Sequence, residues 1–118
     1  ASIITYGACV HWAMNHVEEE DLDVEIVDLR TLMPLDKETL LSSVKKTGRA
    51  LILTEDTLFG SIVNDIAAIL TEEAFEYLDA PIKRVASLDT PVPFAADLEK
   101  GFLGKDRFKV TLQQLLEY

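Results

Sequence analysis

Four short apolar runs stand out along the chain, each bounded by polar or turn-forming residues. Runs of this length and composition predict strands. The predicted strands cover residues 2–6, 24–29, 50–53 and 82–86. The third run, ALIL, is apolar at every position, which is typical of a strand that is covered on both faces of a sheet.

The segments between and after these runs carry apolar residues at helical spacing, and they predict four helices. The second helix begins at the N-cap Asp36 and ends at Gly48, and the third covers residues 62–78 before Pro81 stops it. The predicted apolar stripes are Val10, Ala13, Met14 and Val17 in the first helix; Leu40, Leu41 and Val44 in the second; Val63, Ile66, Ala67, Leu70, Ala74 and Tyr77 in the third; and Phe108, Leu112, Leu115 and Leu116 in the last.

Alternating strands and helices predict an α/β fold of three layers, in which a mainly parallel, open sheet is flanked by helices on both faces. A chain of 118 residues with 48% hydrophobic residues is sufficient for one core. We therefore predict a single domain over residues 1–118. The chain opens inside a predicted strand and without methionine, so we expect a piece of a longer polypeptide.

The charge of the chain restricts its partners. Twenty-one acidic residues against eleven basic ones give a formal net charge of −10, which argues against nucleic acid and anionic membrane as ligands and favours a basic protein partner. Cys9 is the only cysteine, so no internal disulfide or cysteine-based zinc site can form, and a reducing compartment is expected. No apolar run approaches the length of a membrane span.

Two carboxylates offer one candidate chemistry. Glu55 and Asp56 follow a central strand, at the edge where open α/β sheets bind ligands. Together with Lys83 they suggest a stand-alone binding or phospho-acceptor module. The first strand ends in Thr5 and Tyr6, however, where a phospho-acceptor receiver domain carries acids. We favour the interpretation that the two carboxylates cap the following turn.

A second candidate is the acidic end of the third predicted helix. Its final turns contain Glu72, Glu73, Glu76 and Asp79, with no basic residue before Lys83. Negative charge at a helix C-terminus is unfavourable by about 0.3–1 kcal/mol per exposed group. The segment is interpreted either as a solvated acidic face or as a docking site for Lys and Arg of a partner.

Six short motifs carry a family resemblance. They are YGA (6–8), DLRTLMPLD (28–36), VKKTGR (44–49), FEYLDAP (75–81) with KRV (83–85), DTPVPF (89–94) and LE (98–99). In order and spacing they resemble the C-terminal domain of the beta subunit of thiamine-diphosphate-dependent 2-oxo acid dehydrogenases of the pyruvate and branched-chain (2-oxoisovalerate) type. The parent fold implied is the C-terminal domain of transketolase.

The resemblance implies a function for the whole enzyme and a narrower one for this chain. The enzyme would decarboxylate a 2-oxo acid and transfer the acyl group to a lipoyl arm. Its thiamine diphosphate and Mg would be bound by the alpha subunit, or an equivalent fused alpha region, and by the N-terminal domain of the beta subunit, so no catalytic, cofactor or metal residue is expected here. A cytoplasmic location is implied, or the mitochondrial matrix in a eukaryote.

Assembly and docking would remain for this domain. The implied partners are the alpha subunit or region, a second beta subunit across a two-fold axis, and the peripheral subunit-binding domain of the dihydrolipoyl acyltransferase. The residues implied to contact basic groups of that acyltransferase domain are Asp79 and the carboxylate at the end of the chain, Tyr118. Glu76, in the same motif as Asp79, joins them as a partner-docking residue.

The motif DLRTLMPLD supplies the structural signature, Asp28, Arg30 and Pro34. Pro34 restricts the residue before it to extended conformations, so we expect a rigid connection in which the Arg30 guanidinium is held by carboxylates or carbonyls of a neighbouring loop. The chain departs from the family pattern at Thr54, where many relatives have histidine, and any role of that histidine is not transferred.

Overall fold

The fold consists of four strands, five α-helices and one 3₁₀ turn, described here from a computed structural model of residues 1–118. The elements are β1 (Ser2–Thr5), α1 (Ala8–Glu19), β2 (Glu25–Asp28), α2 (Lys37–Thr47), β3 (Ala50–Thr57), α3 (Ile62–Glu73), the 3₁₀ turn (Phe75–Tyr77), β4 (Lys83–Ser87), α4 (Ala96–Phe102) and α5 (Lys105–Leu116).

All four strands are parallel, in the order β2-β1-β3-β4. Ile4 of β1 lies between Val27 of β2 and Ile52 of β3. Parallel neighbours require crossover connections, and these place helices on the faces of the sheet. The predicted three-layer α/β architecture is therefore confirmed.

Alternate residues of the central strands supply two separate cores, because successive side chains of a strand point to opposite faces. Ile4 and Ile52 pack with Leu40 and Val44 of α2 and with residues of α3. Ile3 and Leu51 belong to the other core, on the face that also receives Ala13 of α1 and Phe108, Leu112 and Leu115 of α5. Helices α2 and α3 thus form one outer layer, and α1 and α5 form the other.

The predicted helices are present, and the stripe predicted for α1 is confirmed only in part. Ala13 is buried and Val17 packs against the same core, whereas Met14 is half exposed and borders a groove beside β2 with Val10. Cys9, outside the predicted stripe, is the other buried residue of α1. The predicted ends of α2 are confirmed: Asp36 Oδ1 accepts the Thr39 N–H at 3.0 Å, and Gly48 caps the helix with φ of 71°.

The third helix is shorter than predicted. It ends at Glu73 rather than at residue 78, and a 3₁₀ turn follows it. Helix α4 was not predicted, because a segment of seven residues gives too few turns for a clear apolar stripe. The longest helices contain 12 residues, and none of the helices is long and apolar enough to cross a bilayer.

Candidate docking site

Asp79 lies in the connection between α3 and β4, beyond the helix on which it was predicted. The connection is fixed at both ends, because Ala74 and Ala80 are buried. Between them, the backbone N–H of Asp79 donates to the carbonyl oxygen of Gly48 at 2.7 Å. This bond attaches the motif FEYLDAP to the C-terminal end of α2.

The Asp79 carboxylate lies directly against Gly48. A Cβ atom added at Gly48 would come within 2.2 Å of Asp79 Oδ2, so any other residue at position 48 would displace the exposed Asp79 carboxylate. Gly48 also has a positive φ of 71°, a conformation that glycine adopts without the steric penalty of other residues. The Asp79 carboxylate thus lies at the C-terminus of α2, where the helix dipole is unfavourable for an anion.

No basic side chain neutralises Asp79. The ion pairs of the molecule are Arg30–Asp28, Lys37–Glu73, Lys46–Glu25 and Lys109–Glu19. Both lysines in the last turn of α2 are engaged elsewhere: Lys45 Nζ lies 4.9 Å from the centre of the Tyr77 ring, and Lys46 Nζ is 2.8 Å from Glu25 Oε2. The hydrogen bond from Lys46 lowers the pKa of Glu25. The exposed Asp79 is left as an unpaired charge.

The other acidic residues of this region differ from one another. Glu76 is exposed in the 3₁₀ turn and forms no ion pair. Glu72, in the last turn of α3, is also exposed and forms none. Glu73 pairs with Lys37 from the start of α2. The expectation of an acidic segment without a compensating base is therefore wrong for Glu73, because the packing of α2 beside α3 brings a lysine that is remote in sequence.

Tyr118 and Asp79 line one open groove of about 520 Å³. Its other walls are mainly apolar and come from α3 and the following connection: Ala67, Thr71, Phe75, Leu78, Ala80, Pro81 and Ile82. The side chains of Phe75 and Tyr118 are 73% and 66% exposed. Arg49 Nη1 donates to the Leu116 carbonyl at 2.9 Å and fixes the end of α5 beside this groove.

The structure therefore brings two of the three predicted docking residues together, with Glu76 outside the groove lining. Two contributors were not predicted. Phe75 belongs to the motif FEYLDAP, but its exposure depends on where α3 ends. The contact between Gly48 and Asp79 joins the motifs VKKTGR and FEYLDAP, which are far apart in the sequence.

The signature residues lie elsewhere, at the carboxyl end of β2. Arg30 Nε is 2.6 Å from Asp28 Oδ2, and the Arg30 backbone N–H donates to Asp28 Oδ1 at 3.2 Å. The guanidinium is thus held within its own connection rather than by a neighbouring loop. Arg30 has a positive φ of 56°, and the Met33–Pro34 peptide bond is cis. Asp28 and Arg30 border a different groove, with Val10 and Met14 of α1.

The geometry does not assemble a phospho-acceptor site. Glu55 and Asp56 lie within β3 near its carboxyl end, whereas Lys83 begins β4 and is paired with Leu51, toward the opposite end of the sheet. Asp56 Oδ1 accepts the Thr57 N–H at 2.8 Å, a local bond that agrees with the capping interpretation. No group of three or more His, Cys, Asp or Glu residues is placed to hold a metal ion.

Thr54, the position at which the chain was expected to depart from the family pattern, is fully buried. Its hydroxyl donates to the Tyr6 hydroxyl at 2.8 Å and accepts the Asp56 N–H at 3.2 Å. These bonds connect the carboxyl ends of β1 and β3. Thr54 therefore has a structural role in the centre of the sheet.

Comparison with known proteins agrees with the motifs. Residues 1–106 match the family model described as transketolase, C-terminal domain. The chain is 43% identical over 122 residues to 2-oxoisovalerate dehydrogenase subunit beta of Bacillus subtilis (strain 168), covering 99% of this chain and 37% of the relative. It is 44% identical over 102 residues to pyruvate dehydrogenase E1 component subunit beta of Rickettsia felis, covering 84% of this chain and 31% of the relative.

A solved structure shows the same fold. It is a split gene transketolase, inactive beta4 tetramer, with a TM-score of 0.77 and 26% sequence identity over 98% of this chain and 38% of that one. The chain thus spans about a third of the length of these relatives. The resemblance given by the motifs is confirmed, and the chain belongs to the family of transketolase C-terminal domains.

Proposed function

We propose that this chain is the assembly and docking domain of the decarboxylase component of a 2-oxo acid dehydrogenase complex. The whole enzyme then performs the oxidative decarboxylation of a 2-oxo acid and the reductive acylation of lipoyl groups. The observation that carries the proposal is the Asp79 carboxylate, which lies against Gly48 without an ion pair, beside an apolar groove. The family membership supports it.

The proposed docking partner is the peripheral subunit-binding domain of the dihydrolipoyl acyltransferase. An Arg or Lys of that domain would neutralise Asp79, and a charge-assisted hydrogen bond of this kind is stronger than one between neutral groups. The apolar walls of the groove, with Phe75 and Tyr118, would receive the side chains around that base. Glu76 would attract the partner at longer range, since rim charges mainly raise the association rate.

Thiamine diphosphate and Mg are assigned to other domains of the enzyme. No group of three or more His, Cys, Asp or Glu residues in this chain is placed to hold a metal ion, and no reaction step is attributed to its residues. The proposed assembly partners are the alpha subunit or region and a second beta subunit.

Replacing Asp79 by Asn tests the docking proposal directly. We expect Asp79→Asn, in the full-length enzyme, to weaken binding of the isolated peripheral subunit-binding domain about tenfold, equivalent to about 1.4 kcal/mol. The dependence of the affinity on NaCl concentration should also become flatter, because one fewer charge pair is screened. Calorimetric titration at several salt concentrations measures both.

The matched control is Asp65→Asn, which removes the same charge from an exposed residue in the first turn of α3 that does not line the groove. It should leave binding unchanged. Decarboxylation of a free 2-oxo acid, followed with an artificial electron acceptor, should be normal in both variants. Equal affinities of the two variants would remove Asp79 from the docking site.

A further inference from the structure

A further groove lies between α1 and α5, on the face of the sheet opposite to α2 and α3. Its volume is about 440 Å³, within the range of small-molecule sites. Its polar lining consists of His16 and Glu20 from α1 and of Lys109 and Gln113 from α5. No residue lines both this groove and the docking groove. We call it the α1–α5 groove.

Three aliphatic side chains give the α1–α5 groove an apolar part. Leu22 and Leu116 are half-buried and pack against the core on this face, whereas Val110 is 58% exposed. Small-molecule sites typically combine apolar walls with a few polar groups that orient the ligand. The groove therefore suits a small ligand with an aliphatic part.

The imidazole of His16 is fixed in the wall of the groove. Its ring meets the ring of the fully buried Phe108 edge to face, with the centroids 5.7 Å apart. The Nδ1 atom of His16 is buried and has no hydrogen-bond partner. Because a buried N–H without an acceptor is costly, the neutral ring carries its proton on Nε2. Nε2 is thus the ring nitrogen that can donate to a ligand.

The ammonium group of Lys109 is a second donor. Its ion pair is the longest in the molecule, with Nζ 3.8 Å from Glu19 Oε2. This separation exceeds hydrogen-bond distance, so the N–H groups of Lys109 are free to bind an acceptor. Lys109 and His16 together can therefore bind a carboxylate.

The groove also offers acceptors. Glu20 is exposed and forms no ion pair. Gln113 Nε2 donates to Glu117 Oε1 at 2.9 Å, which leaves the Gln113 side-chain carbonyl as an acceptor. A simple anion would be repelled by Glu20, and a simple cation by Lys109. A ligand that carries both charges is complementary to both residues.

We propose that the α1–α5 groove binds a free α-amino acid with an aliphatic side chain. The ligand carboxylate would be bound by Lys109 and His16. Its ammonium group would be bound by Glu20 and Gln113, and its side chain would lie against the three aliphatic residues. This inference goes beyond the docking proposal and does not depend on it, because the two grooves share no residue.

Equilibrium dialysis of radiolabelled L-leucine against the full-length enzyme tests the proposal. We expect saturable binding with a Kd on the order of 1 mM, as suits a small ligand in an open groove. Lys109→Met and Glu20→Gln should each weaken binding about tenfold, because each removes a charge-assisted contact.

The matched controls are Lys105→Met and Glu18→Gln. They remove the same charges from exposed residues of α5 and α1 that do not line the groove, and they should bind leucine like the unmodified chain. Circular dichroism checks that all four variants are folded.

Two leucine analogues test the two charges of the ligand separately. Isocaproate lacks the ammonium group, and isoamylamine lacks the carboxylate. Each should compete with labelled leucine only at concentrations at least about tenfold higher than unlabelled leucine requires. Competition by either analogue as strong as that by leucine would show that the groove does not recognise a zwitterion, and would overturn the inference.

The binding data themselves can also overturn the inference. Absence of saturable leucine binding up to about 50 mM would do so, since the proposed contacts would then contribute too little affinity. Saturable binding that is unchanged in both Lys109→Met and Glu20→Gln would place the leucine elsewhere in the enzyme and would equally exclude the groove.

Discussion

At the scale of single residues, Gly48 is the residue that contacts Asp79, and Asp79 lines the proposed docking groove together with Tyr118. Two features disfavour a side chain at Gly48: its positive φ and its closeness to Asp79. Comparison with a glycine that has only the first feature separates the two effects. Gly60 provides the comparison, because it has a similar φ of 75° but no atom within 4 Å of an added Cβ.

We expect Gly48→Ala to destabilise the domain more than Gly60→Ala does. Both substitutions force a residue with a Cβ into the left-handed region, at a cost of roughly 1–2 kcal/mol. Only Gly48→Ala also pushes against the Asp79 carboxylate, and it should weaken acyltransferase docking as well. Urea unfolding measures the first effect and calorimetric titration the second.

The variant Asp79→Ala should suppress the difference between the two glycine substitutions, because it removes the atom that the new Cβ would meet. A double-mutant cycle that gives additive effects for Gly48→Ala and Asp79→Ala would contradict the contact.

At the scale of elements, the start of α2 depends on the ionised carboxylate of Asp36. The hydrogen bonds from the Thr39 backbone N–H and hydroxyl lower the pKa of Asp36 from its usual value of 3.8. A carboxyl group whose pKa is lowered by folding stabilises the fold above its unfolded pKa, and this contribution is lost as the pH falls through the folded pKa.

Asp36→Ala should therefore be less stable than the unmodified chain at pH 7, and the difference should shrink as the pH falls below 3.8. Asp36→Asn retains an N-cap acceptor without a titrating group, so its stability should change less with pH over the same range. Thermal unfolding from pH 7 to pH 2.5 measures these differences. A constant deficit of Asp36→Ala at all pH values would mean that the ionised carboxylate is not what caps α2.

The pair α4 and α5 depends on one half-buried guanidinium. Arg107 donates to the carbonyls of Ala86 at 2.8 Å, Phe102 at 3.1 Å and Gly101 at 3.3 Å. These bonds attach both helices to the end of β4. Because Arg107→Met leaves the carbonyls without their donor, we expect it to lower the free energy of unfolding by about 1–3 kcal/mol.

Arg30→Met is the control for Arg107, since the Arg30 side chain is exposed and its ion pair is local. Exposed ion pairs contribute at most about 1 kcal/mol. Denaturant unfolding measures the free energy of unfolding of both variants. A larger loss of stability for Arg30→Met than for Arg107→Met would contradict the structural role assigned to Arg107.

The sequence predicts an element well when local residues determine its ends, and poorly when contacts with distant residues determine them. Three strands are predicted to within one residue at each end because their apolar runs are continuous, whereas β3 continues through four polar residues beyond the predicted run 50–53. The ends of α2 are predicted because Asp36 and Gly48 act locally. The end of α3 is not predicted, because the apolar spacing continues through Ala74 and Tyr77. Helix α3 ends at Glu73, and the connection after it is bonded to Gly48 through the Asp79 backbone N–H, a long-range contact that no local pattern contains.

At the scale of the whole molecule, the fold class and the family follow from the sequence, while the surfaces need the structure. Six motifs are sufficient for the resemblance because each occupies a fixed place in the strand and helix order. The groove between Asp79 and Tyr118 forms only when α5 packs beside the start of β3, through Arg49 and Leu116.

The buried thiol of Cys9 links the stability of the whole molecule to pH. Burial raises its pKa from 9.0 to about 12, so between these values the unfolded chain loses a proton that the folded chain keeps. Stability should therefore fall as the pH rises above 9.0. Cys9→Ala should reduce the steepness of that fall in urea unfolding between pH 8 and pH 10.5, and equal slopes would contradict the burial effect.

The single strand β4 separates the proposed docking groove, which lies beside the start of the strand, from the carboxyl end of the sheet. Its five residues, at about 3.3 Å each, span roughly 16 Å. A protein bound in the groove would therefore contact residues at one end of the strand only. The connections at the carboxyl end of the sheet would remain exposed in that complex.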